Sequence, residues 1–322
     1  MRLKKFLVVM MSLLMSVMMI SCGKSKNDAT GNSDNKDGSK GKISIGVMGS
    51  IDAVPMVIAQ EQGYFKEEGI DVDLQIFKSA KDRDAALTAG ALNGVLCDEI
   101  AISIYQNQDI DMKITGTTNG SWTLVAGKDS GINSVSDLKG KKIGISENTM
   151  IEYLADYIAG VNGMNTSDIE KVAIPAMPAR LEALKNNQID AAILPAPFND
   201  TAIADGGKAI VTIDNKDIQI SVIGFLQDLI DNNPEAIKAF YRAYNKAIGY
   251  INSNDISTYE DVIINTVGYS EDMKGNIETP DFLINYLPAE QNVQEVIDWS
   301  KDKGLLTKDI TASDVISNIG IE

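Results

Sequence analysis

Residues 43–76 read ISIGVMGSIDAVPMVIAQEQGYFKEEGIDVDLQI, and this stretch decides the fold. Ile43 to Val47 is a short run rich in β-branched residues, and Gly49-Ser50-Ile51-Asp52 turns the chain into a helix. Pro55 suits the first turn of that helix, where a missing N–H is harmless. Val54, Val57 and Ile58 put an apolar stripe on one face. Gly63 ends the helix. After the Tyr64-Phe65 turn, Val72, Leu74 and Ile76 alternate with Asp71, Asp73 and Gln75, as a half-buried strand requires. Strand, helix and strand joined by short connections predict a parallel sheet covered by helices.

The same alternation continues outward. A helix is expected from Ser79 to Gly90, a strand from Gly94 to Cys97, a helix from Glu99 to Gln106 and a strand from Met112 to Thr117. A second run begins near Trp122, with strands at Thr123–Ala126, Ile143–Ile145, Val172–Ile174, Ala191–Leu194 and Ala209–Ile213. Helices at Met150–Gly160 and Ala179–Asn187 separate them, and Gln219–Phe225 carries the chain back to the first domain. Pro234 then opens a long helix whose Phe240, Tyr241 and Tyr244 read as core, and Gln294–Lys303 is a further helix stopped by Gly304. The repetition is architectural, with no internal repeat in residue identity.

Ahead of the sheet, Arg2, Lys4 and Lys5 precede an apolar run from Phe6 to Ile20, which is shorter than the roughly 20 residues that span a bilayer core. Met19-Ile20-Ser21-Cys22 resembles the lipobox of bacterial lipoproteins. The resemblance implies that residues 1–21 are a signal peptide and that the Cys22 thiol carries a lipid anchor. Residues 22–41, dominated by Gly, Ser, Asn, Asp and Lys, read as a flexible linker. The folded part is then expected outside the cytoplasm, anchored by lipid to the cell membrane.

The formal charge of −16 disfavours nucleic acid as a partner. The chain has no histidine, which removes Ser-His-Asp and Cys-His nucleophile systems and most zinc sites. Of two cysteines, only Cys97 remains once Cys22 is lipidated, so no intrachain disulfide forms. No metal, cofactor or catalytic residue is expected.

Three segments carry a family resemblance: Ile58–Ile70 (IAQEQGYFKEEGI), Val135–Ile145 (VSDLKGKKIGI) and Arg180–Phe198 (RLEALKNNQIDAAILPAPF). They are similar to the Gly-Tyr-Phe, Asp-Leu-Lys-Gly-Lys-Lys and Arg-x-x-Ala-Leu segments of substrate-binding proteins serving ABC importers. The group concerned binds alkanesulfonates, taurine, nitrate or thiamine precursors. One departure is Asn93, where that family has an aspartate. The resemblance implies an α/β fold of type II periplasmic-binding-protein kind, with two lobes of mostly parallel sheet flanked by helices and a hinge of two crossing segments. It places residues 42–120 and 219–322 in lobe 1 and 121–218 in lobe 2. It also implies a monomer that hands a small-molecule ligand to a permease and an ATPase.

In open parallel sheets ligands sit beyond the carboxyl ends of strands, where helix N-termini point. Lobe 1 thereby offers Ser50 and Asp52, then Ser79 and Lys81, then Asp98. Lobe 2 offers Ser146, Asn148 and Thr149, then Pro175 and Pro197. Trp122 lies near the crossing and could stack on a flat ligand, and Arg180 could meet an acid. Plainer roles compete: helix caps for Asp52, Asp98 and Ser146, a small apolar filler for Cys97, and a salt bridge within its own lobe for Arg180. Lys81-Asp82-Arg83-Asp84 reads as a solvated first turn. Acidic candidates at least match basic ones, which tilts the expected ligand from an alkanesulfonate toward a heteroaromatic vitamin precursor. A ligand sensor for a partner receptor, or an enzyme on the same fold, are the alternatives.

Overall fold

The computed structural model describes residues 40–215 and 218–321. The expected signal peptide, Cys22 and the expected linker up to residue 39 lie outside the described residues.

Among the described residues, ten strands form two five-stranded sheets. The strands are β1 (Gly41–Met48), β2 (Ile70–Phe77), β3 (Gly94–Asp98), β4 (Met112–Thr117), β5 (Ser121–Ala126), β6 (Lys142–Ile145), β7 (Glu170–Ala173), β8 (Ala191–Pro195), β9 (Lys208–Asp214) and β10 (Ser221–Leu226). The helices between β1 and β4 are α1 (Val54–Glu61), α2 (Tyr64–Glu67), α3 (Ala80–Thr88) and α4 (Glu99–Asn107). Those between β6 and β9 are α5 (Met150–Val161), α6 (Met177–Lys185) and α7 (Phe198–Ala204). After β10 come α8 (Gln227–Asn232), α9 (Pro234–Ser253), α10 (Glu260–Val267), α11 (Glu290–Asp302) and α12 (Ala312–Val315). The sequence reading did not foresee α7, α8, α10 and α12.

The sheet orders are β2-β1-β3-β10-β4 and β7-β6-β8-β5-β9. In each, four strands run one way and a fifth, β10 or β5, runs antiparallel to both of its neighbours. These two strands are the ones delivered by a crossing. A chain that arrives from the other lobe enters at the end of the sheet facing that lobe, so it must run against strands whose carboxyl ends point there.

The two lobes also share a module that residue identity only partly reveals, which corrects the expectation of no internal repeat. Arg83-x-x-Ala-Leu87 with Leu92 matches Arg180-x-x-Ala-Leu184 with Ile189. Each arginine lies against a strand glycine: a Cβ at Gly46 would approach Arg83 Cγ to 3.1 Å, and one at Gly144 would approach Arg180 Cγ to 3.1 Å. Asn93 falls on the same place as Asp190. Asn93 accepts from the Ser44 N–H of β1 at 2.9 Å, and Asp190 accepts from the Lys142 N–H of β6 at 2.8 Å. The Asn93 departure is therefore a structural brace on the first strand of its sheet.

The core of lobe 1 packs α9 on the sheet. Phe240 stacks on Phe65 at 5.2 Å and meets Phe225 edge-on at 5.3 Å. The expectation that these aromatics are core residues holds. The lobes join at residues 118–120 and, among the described residues of the return, at 215 and 218–220. Asn215 clips these crossings together: its amide nitrogen donates to Thr118 O at 2.6 Å, its N–H donates to Gly120 O at 2.8 Å, and its Oδ1 accepts from Ser221 N at 2.9 Å. All of this is buried, so removing the side chain strands polar backbone groups. Asn215→Ala is expected to lower the unfolding free energy by about 2 kcal/mol, read as a reduced denaturant midpoint at unchanged slope.

Candidate functional site

A cavity with about 550 Å³ of space unfilled by protein atoms, part of it open to solvent, lies where the carboxyl ends of the two sheets face each other. Its apolar lining includes Met48, Leu96, Cys97, Trp122, Met150 and Met177. Burial pushes the Cys97 thiol well above its usual pKa, so it remains a protonated, apolar filler.

Eight of the twelve sequence candidates line this cavity. Ser50, Asp52 and Asp98 come from lobe 1, while Trp122 on β5, Ser146, Thr149, Pro175 and Arg180 come from lobe 2. The other four do not reach it. Ser79 caps α3, accepting from Asp82 N at 3.2 Å and donating to the Asp82 carboxylate at 2.7 Å. Lys81 is exposed on the outer face of that helix. Asn148 sits exposed in the left-handed region at φ 59°, its N–H donating to Glu152 at 2.9 Å. Pro197, after a cis peptide, is buried at the start of α7.

Two polar lining residues escaped the candidate set. Arg83 is 3% exposed, which overturns the reading of a solvated turn. It donates to Leu96 O at 2.8 Å and pairs with Asp84 at 2.8 Å. Ser221 arrives on β10 and meets Asp52, 169 residues earlier in the chain, and no local signal marks it.

The charged residues fall into two kinds. Asp98 caps α4 by accepting from Ala101 N at 2.8 Å, and its other oxygen accepts from Met150 N, the first residue of α5 in the opposite lobe, at 3.1 Å. One carboxylate thus caps two helices. Asp52 accepts from the hydroxyls of Ser50 and of Ser221, the latter at 3.1 Å, and its backbone carbonyl accepts from Thr118 Oγ1 at 2.8 Å. Burial raises the pKa of both carboxyls, against the lowering effect of these bonds. Arg180 is 1% exposed and donates to Ile174 O at 2.9 Å. Its Nε has no partner, and no salt bridge to it exists among the described residues. The expected pairing within its lobe is absent, and burial pulls its pKa down to about 10.

Further contacts cross between the lobes. Ile51 N donates to Ala196 O at 3.2 Å, Lys303 donates to Glu152 at 2.6 Å, and Trp299 meets Tyr153 edge-on at 5.6 Å. The cleft is closed.

A two-lobed α/β molecule with its cavity at the crossings has the fold of the periplasmic solute-binding proteins. Residues 50–256 match the family described as NMT1/THI5 like, and the chain belongs to that family. It is 24% identical over 325 residues to the Bacillus subtilis protein named "Putative aliphatic sulfonates-binding protein", with 92% of this chain and 95% of that one covered. The periplasmic aliphatic sulphonate binding protein SsuA from Escherichia coli shares the fold at a TM-score of 0.73 and 16% identity, covering 87% of this chain and 99% of that one. The desulfurization enzyme DSZB also shares it, at a TM-score of 0.61 and 14% identity over 86% of this chain and 96% of that one. The fold alone thus serves both binding and catalysis.

Two measurements test the site's electrostatics. Asp98→Ala removes both caps, and the ligand-free protein is expected to show a larger radius of gyration by X-ray scattering and a loss of about 1–2 kcal/mol in stability. Glu99, buried at the start of α4, has no partner for either carboxylate oxygen. Burial, then Asp98, raises its pKa well above 4.5. The native state therefore binds the extra proton, and the contribution of Glu99 to stability is greatest below about pH 4.5 and is lost as pH rises through the native pKa. Glu99→Gln is expected to flatten that fall in a pH series of thermal melts, leaving the parts due to Asp52 and Asp98.

Proposed function

We propose that this protein is an extracytoplasmic solute receptor, tethered through lipidated Cys22 and the 22–41 linker, that delivers a small acid of the alkanesulfonate type to the permease and ATPase of an ABC importer. In this reading it acts as a monomer, with lobe 1 built from 42–120 and 219–322 and lobe 2 from 121–218. The observation that carries the choice of an acid is Arg180. A buried guanidinium with an open nitrogen, no carboxylate beside it and a cavity in front of it is a costly arrangement unless an anion completes it. This displaces the earlier tilt toward a neutral or cationic heteroaromatic. The names of the sulfonate-binding relatives support the same class.

Binding without turnover fits the residues. The cavity holds no histidine, and its one thiol stays protonated. Thermal-shift and calorimetric titration of the purified protein with short alkanesulfonates, carboxylates and neutral heterocycles tests the proposal. A sulfonate is expected to bind and be recovered unchanged, with Arg180→Met weakening it by about 10- to 100-fold, the value of a charge-assisted hydrogen bond. Stabilisation by neutral heterocycles alone, untouched by Arg180→Met, would refute it.

A further inference from the structure

The first turn of α4 lies in the seam between the lobes. Asp98, just before it, accepts from Met150 N across the seam, and Ile100 packs in one apolar cluster with Met150 and Ile151 of lobe 2 and Val296 of α11. Glu99 between them is 2% exposed, and neither of its carboxylate oxygens has a hydrogen-bond partner. The groups that face it bring no positive charge. Cys97 and Asp98 adjoin it on its own segment, Tyr153 faces it from α5, and Glu295 of α11 acts on that same tyrosine. The crossing contributes only the Ile220 carbonyl, which accepts from the Glu99 backbone N–H at 3.2 Å. Two cations at the seam are taken, Lys303 by Glu152 and Lys171 by Glu152 and Asp156.

A carboxylate held in this layer without a partner carries the full cost of its lost hydration, and a neutral carboxyl far less. The helix end that favours a negative charge is already occupied by Asp98. Parting the lobes withdraws α5, with Met150 and Tyr153, and opens Glu99 to water from the lobe 2 side, where its carboxyl returns toward the ordinary carboxylate range. We propose that Glu99 makes closing of the lobes a proton-uptake step, so that the closed form gives way to the open one as pH rises. Burial, then Asp98, holds its pKa well above 4.5 in the closed molecule, in the direction this requires. The closed form, with the higher pKa, is favoured below the open-form value, and that advantage is lost as pH rises through the closed-form value. Between the two values the ratio of closed to open molecules falls by up to about tenfold per pH unit, the limit for one proton. Glu99 does not line the cavity, so the device acts whatever solute the cavity takes, and any solute that needs the closed form is held more tightly in acid surroundings.

The experiment is X-ray scattering of the ligand-free protein from about pH 5 to about pH 9, on the wild type, Glu99→Gln and Glu99→Leu, with circular dichroism confirming that each stays folded. The wild-type radius of gyration is expected to grow with pH, and both variants, which have no charge to hydrate at this position, are expected to stay compact throughout. Infrared spectra of wild-type protein carrying isotope-labelled glutamate read the proton itself: a protonated glutamate band is expected at the acid end and is lost as the radius grows. A wild-type radius that does not change, a rise with pH that persists undiminished in the variants, or the absence of a protonated glutamate band at the acid end overturns the proposal. Should both variants fold poorly, the wild-type radius and its labelled band decide the matter by themselves.

Discussion

The closed molecule depends on one carboxylate shared by two helices. Asp98 ends β3, caps α4 in its own lobe and reaches across to the first N–H of α5 in the other. Two helix N-termini with unsatisfied donors would repel each other at close range, and a single anion between them turns that repulsion into attraction. The first turn of α5 then becomes a docking piece: Glu152 meets Lys303, and Tyr153 meets Trp299, within three residues of Met150.

The hinge complements that clasp. Asn215 ties the two crossings to each other, and Asp52 ties both to the turn after β1, through Thr118 and Ser221. A Cβ at Gly120 would come within 3.0 Å of Asp52 Cβ, so the crossing needs a glycine for this close approach. Asp52 thus belongs to the hinge and to the cavity wall at once. Whatever alters its charge environment acts on the segment about which the lobes turn.

Most of the architecture could be read from the sequence because period-2 and period-3.6 patterns are local. Strands and long helices fell within a few residues of their observed bounds, and six of the eight candidates that line the cavity followed from one rule about strand ends. The failures have physical causes. Arg83 was hidden by Asp82 and Asp84, which make the segment look solvated, although Ala80, Arg83 and Leu87 share a helical face that is buried. The Arg-x-x-Ala-Leu match between α3 and α6 was the signal that could have found it. Ser79 and Asn148 obeyed the strand-end rule but spent their polar groups on local caps and turns. Ser221 depends on a crossing, and long-range register leaves no local mark.

The strand orders have a consequence for biogenesis. The sheet of lobe 2 draws all five of its strands from one continuous stretch between Ser121 and Asp214. That of lobe 1 has a gap between β3 and β4 until Ser221–Leu226 arrives. An emerging polypeptide can therefore complete its second half before its first, and the amino-terminal half must wait, with an unpaired edge on either side of the vacancy, for a segment made more than a hundred residues later.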